Sequence, residues 1–110
     1  MAALTTQTIL TEGYEPIYAA ADVAGDTFIY SAGAFLHVKN GDVSPHTVTV
    51  VSQYTAQPGI SPDNIVVAIP AGEERMIGPF RREFFEDTAT KNVEITYDAV
   101  TSVTVAVLSL

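Results

Sequence analysis

Apolar and polar residues alternate along much of this chain with the period of two that belongs to a strand lying on a core. Thr47-Val48-Thr49-Val50 puts two valines on one face and two threonines on the other. Residues 92–98 do the same, with Val93, Ile95 and Tyr97 opposite Glu94, Thr96 and Asp98. Residues 101–110 set Val103, Val105 and Val107 against Thr104, Ala106 and Leu108, so both faces of that segment are fairly apolar. Residues 65–69 form an unbroken apolar run between turn residues, the pattern of a strand buried on both sides.

Further strands are predicted over residues 5–11, 27–30, 35–39 and 46–52. Pro70-Ala71-Gly72-Glu73 reads as the turn of a hairpin that joins 65–69 to a strand over 74–77. Residues 14–20 are ambiguous, because Pro16 cannot donate to a ladder and belongs at an edge or in a loop. Residues 22–26 and 40–45 read as turn and loop, and Gln57-Pro58-Gly59 with Ser61-Pro62-Asp63-Asn64 punctuates another loop. Only 80–87 is predicted to take a helical turn. About eight strands at this spacing, without amphipathic helices between them, imply an all-β fold. The expected architecture is an antiparallel β-sandwich of jelly-roll type, or a small barrel, formed as one domain over residues 1–110.

Composition agrees with that pattern. Val, Ile and Thr fill 34 of the 110 positions, 47% of residues are hydrophobic and 16% are charged, which excludes a disordered, solvent-swollen chain. Thirteen acids against five bases give a net charge of −8. Such a surface repels phosphate backbones and anionic bilayers, so neither nucleic acid nor membrane is an expected partner. With no cysteine, disulfides, thiolate nucleophiles and thiolate zinc sites are excluded. Residues 1–6 lack the basic region and apolar stretch of a secretory signal, and no apolar run approaches the roughly 18–20 residues of a membrane helix. Synthesis and folding in a cytoplasm are expected.

No constellation of reactive side chains stands out. His37 and His46 flank the 40–45 loop and could meet across a hairpin, but two imidazoles fall short of the three or four ligands zinc requires. Asp42, Ser44 and His46 are hydrolytic residue types held too close on one loop for triad geometry. The acid pairs Glu73-Glu74 and Glu86-Asp87 are adjacent, so on a strand they would face opposite ways. Asp22, Asp26, Asp42 and Asp63 are oxygen ligands of the kind calcium uses, without the spacing of a calcium loop. Neither GxGxxG nor a P-loop occurs. No catalytic residue, metal or cofactor is assigned, and an enzyme is not expected.

The bases are distributed more informatively. Arg75, Arg81 and Arg82 hold three of the five positive charges within eight residues, beside Phe80, Phe84 and Phe85. Local pairing with Glu73, Glu74, Glu83 and Glu86 is one reading. A contact point for another protein is the other, since arginine and aromatic side chains are enriched at interfaces. These six residues are the candidate interface, together with the first strand and the 103–110 strand.

Several stretches carry a wider resemblance. They are Ala2-Ala3-Leu4-Thr5-Thr6-Gln7, Gly25-Asp26-Thr27-Phe28, Phe35-Leu36-His37-Val38-Lys39-Asn40-Gly41, Thr47-Val48-Thr49-Val50, Pro70-Ala71-Gly72-Glu73-Glu74-Arg75 with Ile77-Gly78-Pro79-Phe80, and the closing residues 93–110. Together they resemble the small β-sandwich proteins encoded among the head genes of tailed bacteriophages and prophages. The resemblance implies a structural virion protein, foremost a decoration or cement protein on the outside of the head shell. Its partners would be the major capsid protein or other virion proteins, and it would form a homo-oligomer, a trimer foremost, within a symmetric assembly. A neck, tail-completion or tail-tube component is the nearest alternative. A carbohydrate-binding module using Tyr14, Tyr18, Tyr30, Tyr54 and Tyr97 is the other, although no tryptophan is present to provide a stacking platform.

Overall fold

The alternating segments pair as their faces require. The computed structural model describes residues 2–53 and 64–110. In β6 (His46–Val50) and β9 (Asn92–Tyr97) the residues Val48, Val50, Val93 and Ile95 turn to one side and are fully buried. They meet Leu36 and Val38 of β5 (Ala34–Asn40) and Val103, Val105 and Val107 of β10 (Val103–Ser109), from the opposite layer. Phe28 of β4 (Asp26–Ile29) completes this interior. Burying each such side chain contributes roughly 1.5–3 kcal/mol.

Ten strands and one helical turn, α1 (Arg82–Phe85), lie among the described residues. Sheet A has the order β1-β4-β9-β6-β7, where β1 is Ala2–Leu4 and β7 is Ile65–Ile69. Sheet B has the order β2-β10-β5-β8, where β2 is Thr6–Thr8 and β8 is Glu74–Ile77, with β3 (Ala19–Ala20) also paired to β10. The protein is a small β-sandwich of two packed sheets, not a closed barrel.

The sandwich is mixed and not antiparallel throughout. The strand expected over 5–11 is only β2, parallel to β10 in sheet B, and on the other side of Thr5 the chain forms a further strand, β1, parallel to β4 in sheet A. After residues 9–18 the chain returns antiparallel along the same edge of β10 as β3. Both parallel pairs belong to this N-terminal segment, which contributes one strand to each sheet.

Two other expectations are corrected. β7 and β8 are not a hairpin, since β7 pairs with β6 and β8 pairs with β5. The turn at 70–73, closed by Glu73 N–H donating to Pro70 O with Gly72 at φ +74°, carries the chain from one sheet to the other. Nor is β7 buried on both faces: it is an edge strand on which Val66 is 62% exposed. The loop expected around Gln57-Pro58-Gly59 and Ser61-Pro62-Asp63 lies outside the described residues, as do Tyr54 and Asp63.

A buried asparagine joins the layers at one end. Asn40 Nδ2 donates to Ser44 O and Ile69 O at 2.9 and 3.1 Å, and Oδ1 accepts from Asp42 N–H at 3.0 Å. At the other end Gly78 adopts φ +135°, and an added Cβ would lie 2.9 Å from Phe35 Cβ and 3.0 Å from Phe35 Cα. Asn40→Ala is expected to cost about 2–3 kcal/mol, since buried carbonyls lose their donor. Gly78→Ala is expected to cost about 2–4 kcal/mol through backbone strain and collision. Urea denaturation of each variant measures both, and a loss below about 0.5 kcal/mol would refute the corresponding account.

Candidate interaction site

The arginine and phenylalanine residues around α1 divide between the core and the surface. Phe80 and Phe85 are buried, with ring centroids 6.0 Å apart, and Phe80 lies 5.9 Å from Phe28. They hold the helical turn onto the sandwich, so they are not contact side chains, and that part of the expected interface is corrected. Phe84 is half-buried, and its carbonyl accepts from Gln53 N–H at 2.7 Å.

Arg81 and Arg82 remain at the surface, with side chains 70% and 68% exposed. Each guanidinium lies over an aromatic ring, Arg81 4.8 Å from the Phe84 centroid and Arg82 4.9 Å from that of Tyr30. Arg81 also pairs with Glu83, and Arg82 Nε is 3.5 Å from Glu86 Oε2. Arg75 lies on β8 and turns instead to Glu73 Oε1 at 3.1 Å and to the Glu74 carbonyl at 2.8 Å. Of the local acid partners expected from the sequence, Glu73, Glu83 and Glu86 are therefore present, whereas the Glu74 carboxylate turns to His37; exposed pairs of this kind contribute about 0–1 kcal/mol each. The stacking on rings was not read from the sequence, although the Arg81–Phe84 spacing of three is a signal of it.

The two histidines do not meet. His37, on the outer face of sheet B, is reached by Tyr18 OH at Nδ1, 2.6 Å away, and by Glu74 Oε1 at Nε2, 2.9 Å away. Because the Glu74 carboxylate only accepts, the bond at Nε2 requires a proton on that nitrogen, and in the neutral tautomer Nδ1 then accepts from Tyr18 OH. Lys39 Nζ covers the Tyr18 ring at 4.0 Å. This hydroxyl–imidazole–carboxylate chain fastens residues 9–18 to sheet B.

His46 is buried at the start of β6 with Nε2 2.9 Å from Asp42 Oδ2. Its Nδ1 lies 3.4 Å from Asp98 Oδ1, an ion-pair separation without hydrogen-bond alignment. Both ring nitrogens face carboxylates, so neither activates Ser44. Among the described residues no three His, Asp or Glu side chains are grouped to hold a metal ion. Asp26 is fully buried and accepts from Tyr97 OH at 2.6 Å, while its Oδ1 makes no hydrogen bond. Burial and this carboxylate push the Tyr97 phenol upward, so it stays a donor.

The four tyrosines among the described residues do not assemble a sugar platform. Tyr97 faces Asp26, Tyr30 OH donates to Phe80 O, Tyr18 faces His37, and Tyr14 OH donates to Gln7 Oε1. Tyr14 and Ile17 line a cleft of about 580 Å³ between the 9–18 segment and the β10 edge, with Thr6, Gln7 and Ala106. Gln7 already uses its amide on Ile17 N–H and O. No family model, curated protein or solved structure matches this chain.

The Asp42–His46–Asp98 cluster has a signed pH dependence. Asp42 is held below 3.8 by its hydrogen bond to His46 and by Val43 N–H. For Asp98, desolvation works upward, but Thr47 N–H, Ala99 N–H and His46 outweigh it and the net shift is down. The unfolded chain therefore binds more protons in the acid range, and stability rises with pH there. This contribution is present above the ordinary carboxylate value and is lost as pH falls through the folded values. Asp42→Asn is expected to be less stable than the parent at pH 7, with the two denaturation midpoints converging by about pH 2. A gap independent of pH would contradict this account.

Proposed function

We propose that this chain is a structural virion protein of a tailed bacteriophage, a decoration or cement protein that binds the outer surface of the head shell. The reading begins from the sequence resemblance to small β-sandwich head proteins. The observation that carries it further is the exposed, aromatic-backed arginine knob at Arg81 and Arg82, which holds two of the five bases of a chain of net charge −8. A guanidinium held over a ring is partly ordered before binding, so less side-chain freedom is lost on contact. Its planar donors suit carboxylates and carbonyls of a protein surface. Many weak contacts of this kind, repeated by shell symmetry, add up to firm attachment. The acidic remainder keeps the protein from adhering to nucleic acid.

A neck or tail-ring component would use the same knob and differs in copy number. Hundreds of copies per particle mean the shell, whereas six or twelve mean a ring. For the double variant Arg81→Glu with Arg82→Glu, occupancy of particles is expected to fall about tenfold or more, equivalent to at least about 1.4 kcal/mol per attached unit. The circular dichroism spectrum and melting temperature should be retained, because both side chains are exposed. Full occupancy by a folded double variant would remove the knob from the contact.

A further inference from the structure

Among the described residues, the β7 edge of sheet A lacks the usual guards against strand pairing. β7 (Ile65-Val66-Val67-Ala68-Ile69) pairs only with β6 among the described residues, and it contains no charge and no proline. Exposed edges are ordinarily blunted by lysine, proline, a bulge or an inward-pointing charge. β8, the edge of sheet B, follows that rule: Arg75 stands opposite Val38, on the face that looks toward the core.

The hydrogen-bond pattern specifies what fits the unguarded edge. Asp98 N–H donates to Thr47 O, and Val51 N–H donates to Glu94 O, so the odd-numbered residues around β6 present their backbone to β9. His46, Val48 and Val50 therefore bond with Ile69, Val67 and Ile65. The N–H and C=O groups of Val66 and Ala68 are left directed at the free edge. An extended backbone with the same spacing satisfies them.

We propose that this edge is a self-pairing site, at which two copies join β7 to β7 antiparallel about a two-fold axis at Val67. Val66 of each copy then stands opposite Ala68 of the other. Two residues per copy, each giving one N–H and one C=O, make four interchain hydrogen bonds. Val67 faces its own counterpart in the intervening non-hydrogen-bonded pair, with Cα atoms about 4.5 Å apart. Neighbouring registers are poorer. Centring on Ala68 sets Val66 against Pro70, which has no N–H, and centring on Val66 sets Ala68 against Asn64, outside the strand.

Charge favours a second copy at this edge. A two-fold contact places every charge near its own image, and two chains of −8 repel. β7 is uncharged, and the outward side chains Val66 and Ala68 fit as large against small. The two five-stranded sheets A would continue as one sheet. The inference goes beyond the virion reading and does not depend on it, since purified chain tests it with no particle present.

Sedimentation of the full chain is expected to show mass rising from one copy toward two with concentration. Association should tighten as salt screens the net repulsion, the Debye length falling from about 30 Å at 0.01 M to about 10 Å at 0.1 M. Ala68→Pro removes an edge donor that the β6 ladder does not use. It should weaken association about tenfold or more with the melting temperature retained. Val66→Lys, which leaves the backbone unchanged, should do the same and serves if the proline variant fails to fold. In this cysteine-free chain Val67→Cys should oxidise to a disulfide dimer, whereas Val66→Cys, offset from its own image, should not. A wild type that remains single up to about 1 mM would overturn the proposal. So would a dimer indifferent to both edge variants, or a Val66→Cys variant that links as fast as Val67→Cys.

Discussion

Apart from Thr104, strand β10 offers neither face to water. Val103, Val105 and Val107 fill the space between the sheets, while Ala106 and Leu108 on the opposite face are 2% and 4% exposed. A strand apolar on both sides cannot stand at the outside of a two-layer sandwich unless its back is covered. The N-terminal third helps to provide that cover. β2 and β3 share one edge of β10, and Tyr18 reaches over the sheet to His37, which is paired with Ala106. The break at Thr5 between β1 and β2 and the two parallel pairs follow from this arrangement. One segment has to seal the end strand of sheet A and also shield the back of sheet B.

Apart from His37 in the middle of β5, the buried polar groups lie at or near the ends of strands. Asn40 ties the 41–45 loop to the exit of β7, His46 joins that loop to the turn after β9, and Asp26 is bonded by Tyr97 across neighbouring strands. Each would be costly if its partner were missing, because a buried donor or acceptor left unpaired loses about 1–3 kcal/mol. They therefore act less as glue than as tests of register. A strand shifted by one residue would leave Asn40 without Ile69 O, and it would also turn the apolar face outward.

The fold was legible in the sequence where alternation reports the inward face. Thr47-Val48-Thr49-Val50 and Val93-Glu94-Ile95 identify their buried residues correctly, and the doubly apolar 103–108 stretch is buried on both sides. Alternation does not say which sheet a strand joins. Pro70-Ala71-Gly72-Glu73 makes a tight turn whether it closes a hairpin or crosses the sandwich, so the misreading of β7 and β8 lay in topology. Likewise, Ile65–Ile69 has the composition of a central strand and sits at an edge, because residue type records apolarity and not the number of neighbours. The candidate site was legible in part. The acid partners of the arginines were foreseen from proximity, whereas the burial of Phe80 and Phe85 depends on Phe28, distant in the chain.

Two surface features with different chemistry follow from the same layout. Arg81 and Arg82 present planar donors over aromatic rings, with Glu83 and Glu86 beside them, and it is this knob that the proposed function assigns to a different protein. The β7 edge has a different character: Val66 and Ala68 have no ladder partner among the described residues, and the strand carries no charge. If both proposals hold, the contact with a foreign surface and the contact with a second copy must not compete. Placing the knob on α1 and the self-complementary strand at the edge of sheet A keeps the two contacts on separate elements. The acidity of the remaining surface then acts as a filter, disfavouring close approach of copies except where charge is absent.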